Sequence, residues 1–196
     1  MNPLLQQILP LGNPHLRVKA EPVRDLHDLQ LQSDKVLLQE VLEAFRQEHD
    51  FGRAIAAPQI GVLRRMIALH LNDRRFVIFN PRIIWHSEET FTMWDDCMCF
   101  PSLLVRVRRH KSISVSYRDE DWTEHVWSDV DQPTSELLQH EIDHLDGVLA
   151  IDHAITNQDI ISREAFQQMP DYFLEKVDYV IPLPAYRKSP LRPERA

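Results

Sequence analysis

From Val23 to Glu48 apolar residues recur largely at three- and four-residue spacings: Leu26, Leu29, Val36, Leu37, Val41, Leu42 and Phe45. That spacing draws a stripe down one face and predicts a long amphipathic helix. Beyond it the period changes. Met66–Leu71 and Phe76–Phe79 are short apolar runs, and Asn72-Asp73-Arg74-Arg75 between them reads as a turn. Ile83–Trp85 and Phe91–Met93 give weaker strand signals. Leu103–Val107, Lys111–Tyr117 and Glu124–Val130 give the strongest, with Ile113, Val115 and Tyr117 alternating with polar residues. A helical pattern returns from Pro133 to Gly147, and again from Asn157 to Lys176, broken at Pro170. Helix, many strands, then helices predicts an α+β fold with antiparallel β-sheets packed around a helix.

At 196 residues with 43% hydrophobic content, one domain with a buried core is expected, over residues 1–181. The remainder, 182–196, is Pro-rich and basic (Pro182, Pro184, Pro190 and Pro193; Arg187, Lys188, Arg192 and Arg195) and reads as a tail. A net charge of −8 argues against general or sequence-specific nucleic-acid binding. The tail is the one candidate contact to an acidic partner such as ribosomal RNA. No run is long enough to cross a membrane. The N-terminus lacks a basic region before an apolar stretch, so no signal peptide is expected. Two cysteines unsuited to a bridge fit a reducing cytoplasm.

The predicted helix after Pro133 carries Gln139-His140-Glu141-Ile142-Asp143-His144. Residues i and i+4 share a helix face, so His140 and His144 can aim ring nitrogens at one divalent ion. Glu141 then lies beside the ion without binding it, where it can move protons for a metal-bound water. Pro133-Thr134-Ser135-Glu136 offers a helix start with an early acid, and Gly147 a stop.

A third ligand is needed. Ala150 stands where a metzincin peptidase needs a further His, and Glu164 and Glu175 lie downstream without distinction. Asp95-Asp96-Cys97-Met98-Cys99 upstream is the better source, because a thiolate suits a borderline-soft ion and Cys-His-His leaves a position for water. In an extended strand Cys97 and Cys99 point to opposite faces, so only one of them is expected to be a ligand. A bulge would relax that limit.

These residues resemble the peptide deformylase family. Its three ordered motifs have counterparts here: Gly52-Arg53-Ala54-Ile55-Ala56-Ala57-Pro58-Gln59-Ile60-Gly61, Asp95-Asp96-Cys97-Met98-Cys99, and Gln139 to Gly147, the last matched in full. The similarity runs from about Ile8 to about Asp152. It implies removal of the formyl group from N-formylmethionyl peptides, with release of formate. It also implies Cys97, His140 and His144 as ligands of one divalent ion: Fe(II) in the cell, with Zn or Ni equally suited to the purified protein. Glu141 would be the general base and acid. Gln59 and the backbone N–H of Met98 would form the oxyanion hole.

Several positions depart from the family pattern. Ala54 replaces a glycine, which is costly if that backbone needs a positive φ. Asp95 replaces Glu, and Arg108 or Arg109 is its expected partner. Asp96 replaces glycine, Cys99 replaces serine, and Glu136 lies one turn before His140. Ala54, Ile55, Asp96, Cys99 and Glu136 form the expected substrate pocket. Asp96 and Glu136 are either solvated rim residues or the mark of an acidic cleft for another N-formyl or N-acyl amine, including a cationic one. A non-catalytic metal-binding role would instead close the site with a fourth protein ligand. His153 is a further candidate to support the metal helix.

Overall fold

A computed structural model describes residues 2–49 and 51–181. The expected tail at 182–196 lies outside them. The first long helix, α1, spans Leu29–His49. It starts later than the apolar spacing suggests because the preceding segment is tied elsewhere. Asn80 grips Val23 at both N and O (2.8 Å each), and Asp28 turns back to accept the Gln30 N–H. The buried stripe also shifts. Leu31 and Leu38 are fully buried, whereas Leu29 is 83% and Val36 49% exposed.

The expected Gly52–Gly61 loop contains a short strand, β1 (Ala54–Ala56), followed by a 3-10 turn. Next come β2 (Met66–Leu71), β3 (Arg74–His86), β4 (Thr90–Asp95), β5 (Leu103–His110), β6 (Ile113–Arg118) and β7 (Glu124–Trp127). The β2–β3 turn is only Asn72-Asp73, both at positive φ, the conformation that matches strand twist in a two-residue hairpin. β3 absorbs the separate weak strand expected at Ile83–Trp85, with a register shift between Phe79 and Arg82. The helix that carries His140 and His144, α2, spans Gln132–Leu145. Beyond it lie β8 (Ile160–Ser162), α3 (Arg163–Gln168) and α4 (Pro170–Leu174), so the expected second long helix is a strand and two short helices.

Two antiparallel sheets result, β1-β2-β3-β6-β7 and β4-β5-β8. Period-two alternation divides the first sheet between two helices. Ala54, Ala56, Ile67, Leu69 and Ile78 pack with Leu138, Ile142 and Leu145 of α2. Ile55, Met66, Ala68, Val77 and Phe79 pack with Leu38, Val41 and Leu42 of α1. α2 is therefore held in the core, and the end of β4 delivers Cys97 to it.

Candidate active site

α2 starts one residue earlier than Pro133. Its N-cap is Asp131, whose carboxylate accepts the Thr134 N–H at 3.1 Å. Its end matches the Gly147 stop. Gly147 (φ 74) donates to His144 O at 3.2 Å and Val148 donates to Asp143 O at 2.9 Å, a Schellman closure. The cap fixes the last turn, which carries His144.

After β4 the chain turns, and Phe100 N donates to Cys97 O at 3.1 Å. Cys97 and Cys99 thus lie in a turn, not an extended strand, and the expected separation onto opposite faces fails. Both thiols meet the Gln59 amide: Nε2 lies 3.7 Å from Cys97 Sγ and 3.8 Å from Cys99 Sγ. Gln59 Oε1 accepts the Ala56 N–H at 2.7 Å, which points its NH2 group at the thiols. Met98, between the two cysteines, lines the same cleft.

The donor atoms converge. His144 Nε2 lies 3.3 Å from Cys97 Sγ and 3.2 Å from His140 Nε2. Cys97, His140 and His144 form one buried group with all ligand atoms within 4.8 Å, and Cys99 is not part of it. Glu164 and Glu175 are exposed. One sulfur and two ring nitrogens in this compass suit a single divalent ion.

The surroundings fit such an ion. Asp95 Oδ2 lies 3.0 Å from His140 Nδ1, which leaves Nε2 for a metal. Burial opposes the Asp95 charge, yet His140 and Arg109 hold it well below the usual carboxylate range. Burial likewise opposes a charge on His140, but Asp95 overrides it and lifts the imidazole to about 9. Burial keeps His144 neutral and pushes the Cys97 thiol up. Glu141 is pushed up to about 7 by burial, against the pull of His140. Its Oε2 is buried without a hydrogen-bond partner among the described residues.

The cleft beside this group holds about 560 Å³ of empty volume, part of it open solvent. Ala54, Asp96 and Glu136 line it as expected; Ile55 and Cys99 do not. Ile55 faces α1 because its neighbours Ala54 and Ala56 face α2. Cys99 packs against the second sheet with Phe91 and Val105. Ala54 sits in β1 without positive φ, so the missing glycine imposes no strain there.

The two acidic residues differ in exposure. Glu136 is buried and paired with Arg53. Asp96 is half-buried and paired with Arg163 at 2.9 Å. Both carboxylates are neutralised, so the cleft has no uncompensated acidity at these positions. Asp95 takes Arg109 (3.1 Å) as its ion-pair partner, deciding between Arg108 and Arg109. Arg109 also pairs with Asp143, which His153 reaches at 3.0 Å. Sequence reasoning missed Arg53 and Arg163 in the cleft. Arg53, inside the first motif, was within reach of the charge pattern; Arg163, far along the chain, was not.

An α+β fold carries a Cys-His-His group that could hold a metal ion, beside a buried glutamate on a core helix. The family model "Polypeptide deformylase" matches residues 5–159. Peptide deformylase 2 of Nostoc sp. is 33% identical over 86% of this chain and 97% of its own length. The peptide deformylase structure from Thermotoga maritima has 29% identity and a TM-score of 0.68, covering 76% of this chain and 97% of its own. That from Synechococcus elongatus, in complex with actinonin, has 26% identity and a TM-score of 0.68, covering 83% and 85%. The chain belongs to the polypeptide deformylase family and is a peptide deformylase enzyme.

Proposed function

We propose that this enzyme removes the formyl group of N-formylmethionyl peptides and releases formate. Cys97, His140 and His144 would hold one divalent ion, Fe(II) in the cell. The observation that carries the reading is the orphaned Oε2 of Glu141 beside the three convergent donor atoms. When bound, the ion supplies Lewis acidity and a water that ionises near neutrality.

The protein's own groups do the rest. Glu141, buried beside the donor group, can take a proton from the nucleophile and return one to the leaving amine. The Gln59 NH2, oriented through the Ala56 N–H, donates toward charge developing on the formyl oxygen. The Met98 N–H is the second donor to that oxygen. Asp95 holds the His140 ring in the orientation that frees Nε2.

The natural partners in this reading are nascent formylated chains in the cytoplasm, with the basic tail at 182–196 as a ribosome contact and residues 1–181 as the catalytic domain. No helix among the described residues is long and apolar enough to cross a membrane. The test is formate release from a formyl-Met tripeptide by protein prepared anaerobically with Fe(II), beside Glu141→Ala. Release that falls at least 100-fold in the variant is the expected result. No release from protein holding one ion per chain would sink the reading. Actinonin, bound by the S. elongatus relative, is expected to block release here.

A further inference from the structure

A line of polar side chains runs from the protein surface to His140. It starts in the 3-10 turn Ala150–His153, which follows α2 and packs against β5. Ala150 is buried, and Asp152 accepts the Leu149 N–H at 2.8 Å, so the turn is anchored at its start. Its last residue, His153, points back to α2, where Nε2 lies 3.0 Å from Asp143 Oδ2. That same oxygen accepts from Arg109 Nη1. Arg109 Nη2 reaches Asp95 Oδ2 at 3.1 Å, and this oxygen holds His140 Nδ1 at 3.0 Å. The line is symmetric: each carboxylate uses one oxygen to join an imidazole to the same guanidinium.

Arg109 depends on the two acids. Its Nε is buried without a partner among the described residues, so Asp95 and Asp143 set where the guanidinium sits. Asp95 is buried, but the Asp143 side chain is 24% exposed and lines a second groove with Lys19 and Arg65. Asp143 is therefore the acid at which water competes with Arg109. His153 meets the competed oxygen directly. A carboxylate paired with arginine is ionised and can only accept, so Nε2 of His153 carries the donated proton.

We propose that His153 is a positioning residue for the metal site: its Nε2–H fixes the Asp143 carboxylate, which holds Arg109, which in turn holds the Asp95 oxygen that orients His140. The proposal rests on Cys97, His140 and His144 as metal donors in the reading above, and not on the reaction they serve.

The experiment measures Co(II) affinity by chelator competition for the parent, His153→Leu and His153→Gln. The same three are measured in an Asp95→Asn background, and the visible cobalt spectrum is recorded on each. Loss of a group that touches a ligand costs about 10- to 100-fold in affinity, and His153 lies further out, so His153→Leu should lose about 3- to 10-fold. His153→Gln, whose amide N–H can donate to the same oxygen, should regain most of the affinity and the parent spectrum. In the Asp95→Asn background His153→Leu should cost nothing more, because the path to His140 is already cut. No loss with leucine overturns the proposal. So does an equal loss with glutamine, or an additive loss in the Asp95→Asn background, each exposing a merely structural role. A parent that binds no cobalt overturns it together with the metal reading. If the expected pattern of affinities appears but no formyl-peptide releases formate, the reaction is wrong and this proposal stands.

Discussion

Asp95 Oδ2 lies 3.0 Å from Nδ1 of His140 and 3.1 Å from Nη2 of Arg109, so one buried oxygen serves a candidate metal ligand and a buried cation together. The carboxylate fixes which ring nitrogen of His140 faces the donor group. Asp95→Ala should lower metal affinity about 10- to 100-fold, read by chelator competition. Unchanged affinity would mean that the helix alone orients the ring. Arg109 carries the other half of the relationship, since it also pairs with Asp143. Arg109→Met strands two acids and should cost about 3–5 kcal/mol in urea unfolding.

Cys99 tests whether the centre is closed by a fourth protein ligand. Its thiol reaches the Gln59 amide but lies outside the donor group. Cys99→Ser should therefore keep one tightly held ion per chain by elemental analysis. A halved or lost metal content would show that Cys99 is a ligand and revive the non-catalytic reading.

What the sequence disclosed follows from how locally each feature is encoded. His140 and His144 share one helix face with Glu141 beside them, and spacing alone places all three. β2 matches its apolar run, closed at its C-terminal end by the turn residues Asn72 and Asp73. Cys97 could be chosen over Cys99 only through the family motif, since the turn that gathers both thiols has no period. Leu31 and Leu38 were passed over in favour of Leu29 and Val36 because spacing gives a stripe and not its angular position, which packing on β1 to β3 decides. The Arg53–Glu136 and Arg163–Asp96 pairs are long-range, and nothing local foretells that these acids are neutralised.

The Arg53–Glu136 pair makes a stability prediction. Both side chains are almost wholly buried, and burial raises the Glu136 carboxyl despite the arginine. Arg53→Met alone should destabilise the fold by about 3–5 kcal/mol, because it leaves a buried acid without its cation. Arg53→Met/Glu136→Leu should recover most of that loss. Equal destabilisation by the single and double variants would show that the pair is not coupled.

Gly147 closes α2 at φ 74, and a Cβ there would come within 2.7 Å of the Arg17 carbonyl oxygen. Backbone cannot yield as a flexible side chain can. Gly147→Ala should cost more than about 1 kcal/mol, the usual penalty for alanine at positive φ. Since His144 lies in the capped turn, metal affinity should fall as well. A stable variant with weak metal binding, or the reverse, would show that cap and ligand are independent.

Asp159 ties β5 to the chain after α2 and gives the fold an acid limit. Its Oδ1 meets Arg106 Nε at 2.7 Å, its Oδ2 meets Nη2 at 3.1 Å, and Thr156 Oγ1 donates to Oδ2 at 2.7 Å. Burial disfavours the ionised form, but Arg106 and Thr156 outweigh it and lower the carboxyl below its ordinary value of 3.8. The folded state therefore binds a proton less readily than the unfolded chain. The contribution of the ionised group is fully present above the ordinary value and is lost as pH falls through the lower folded value. Asp146, held by Arg65 and Lys19, is shifted the same way. Urea midpoints should fall steeply below about pH 4, and Asp159→Asn should lower the midpoint at neutral pH while flattening that fall. A variant whose stability declined with acid as steeply as the parent's would show that the Arg106–Asp159 pair does not set the limit.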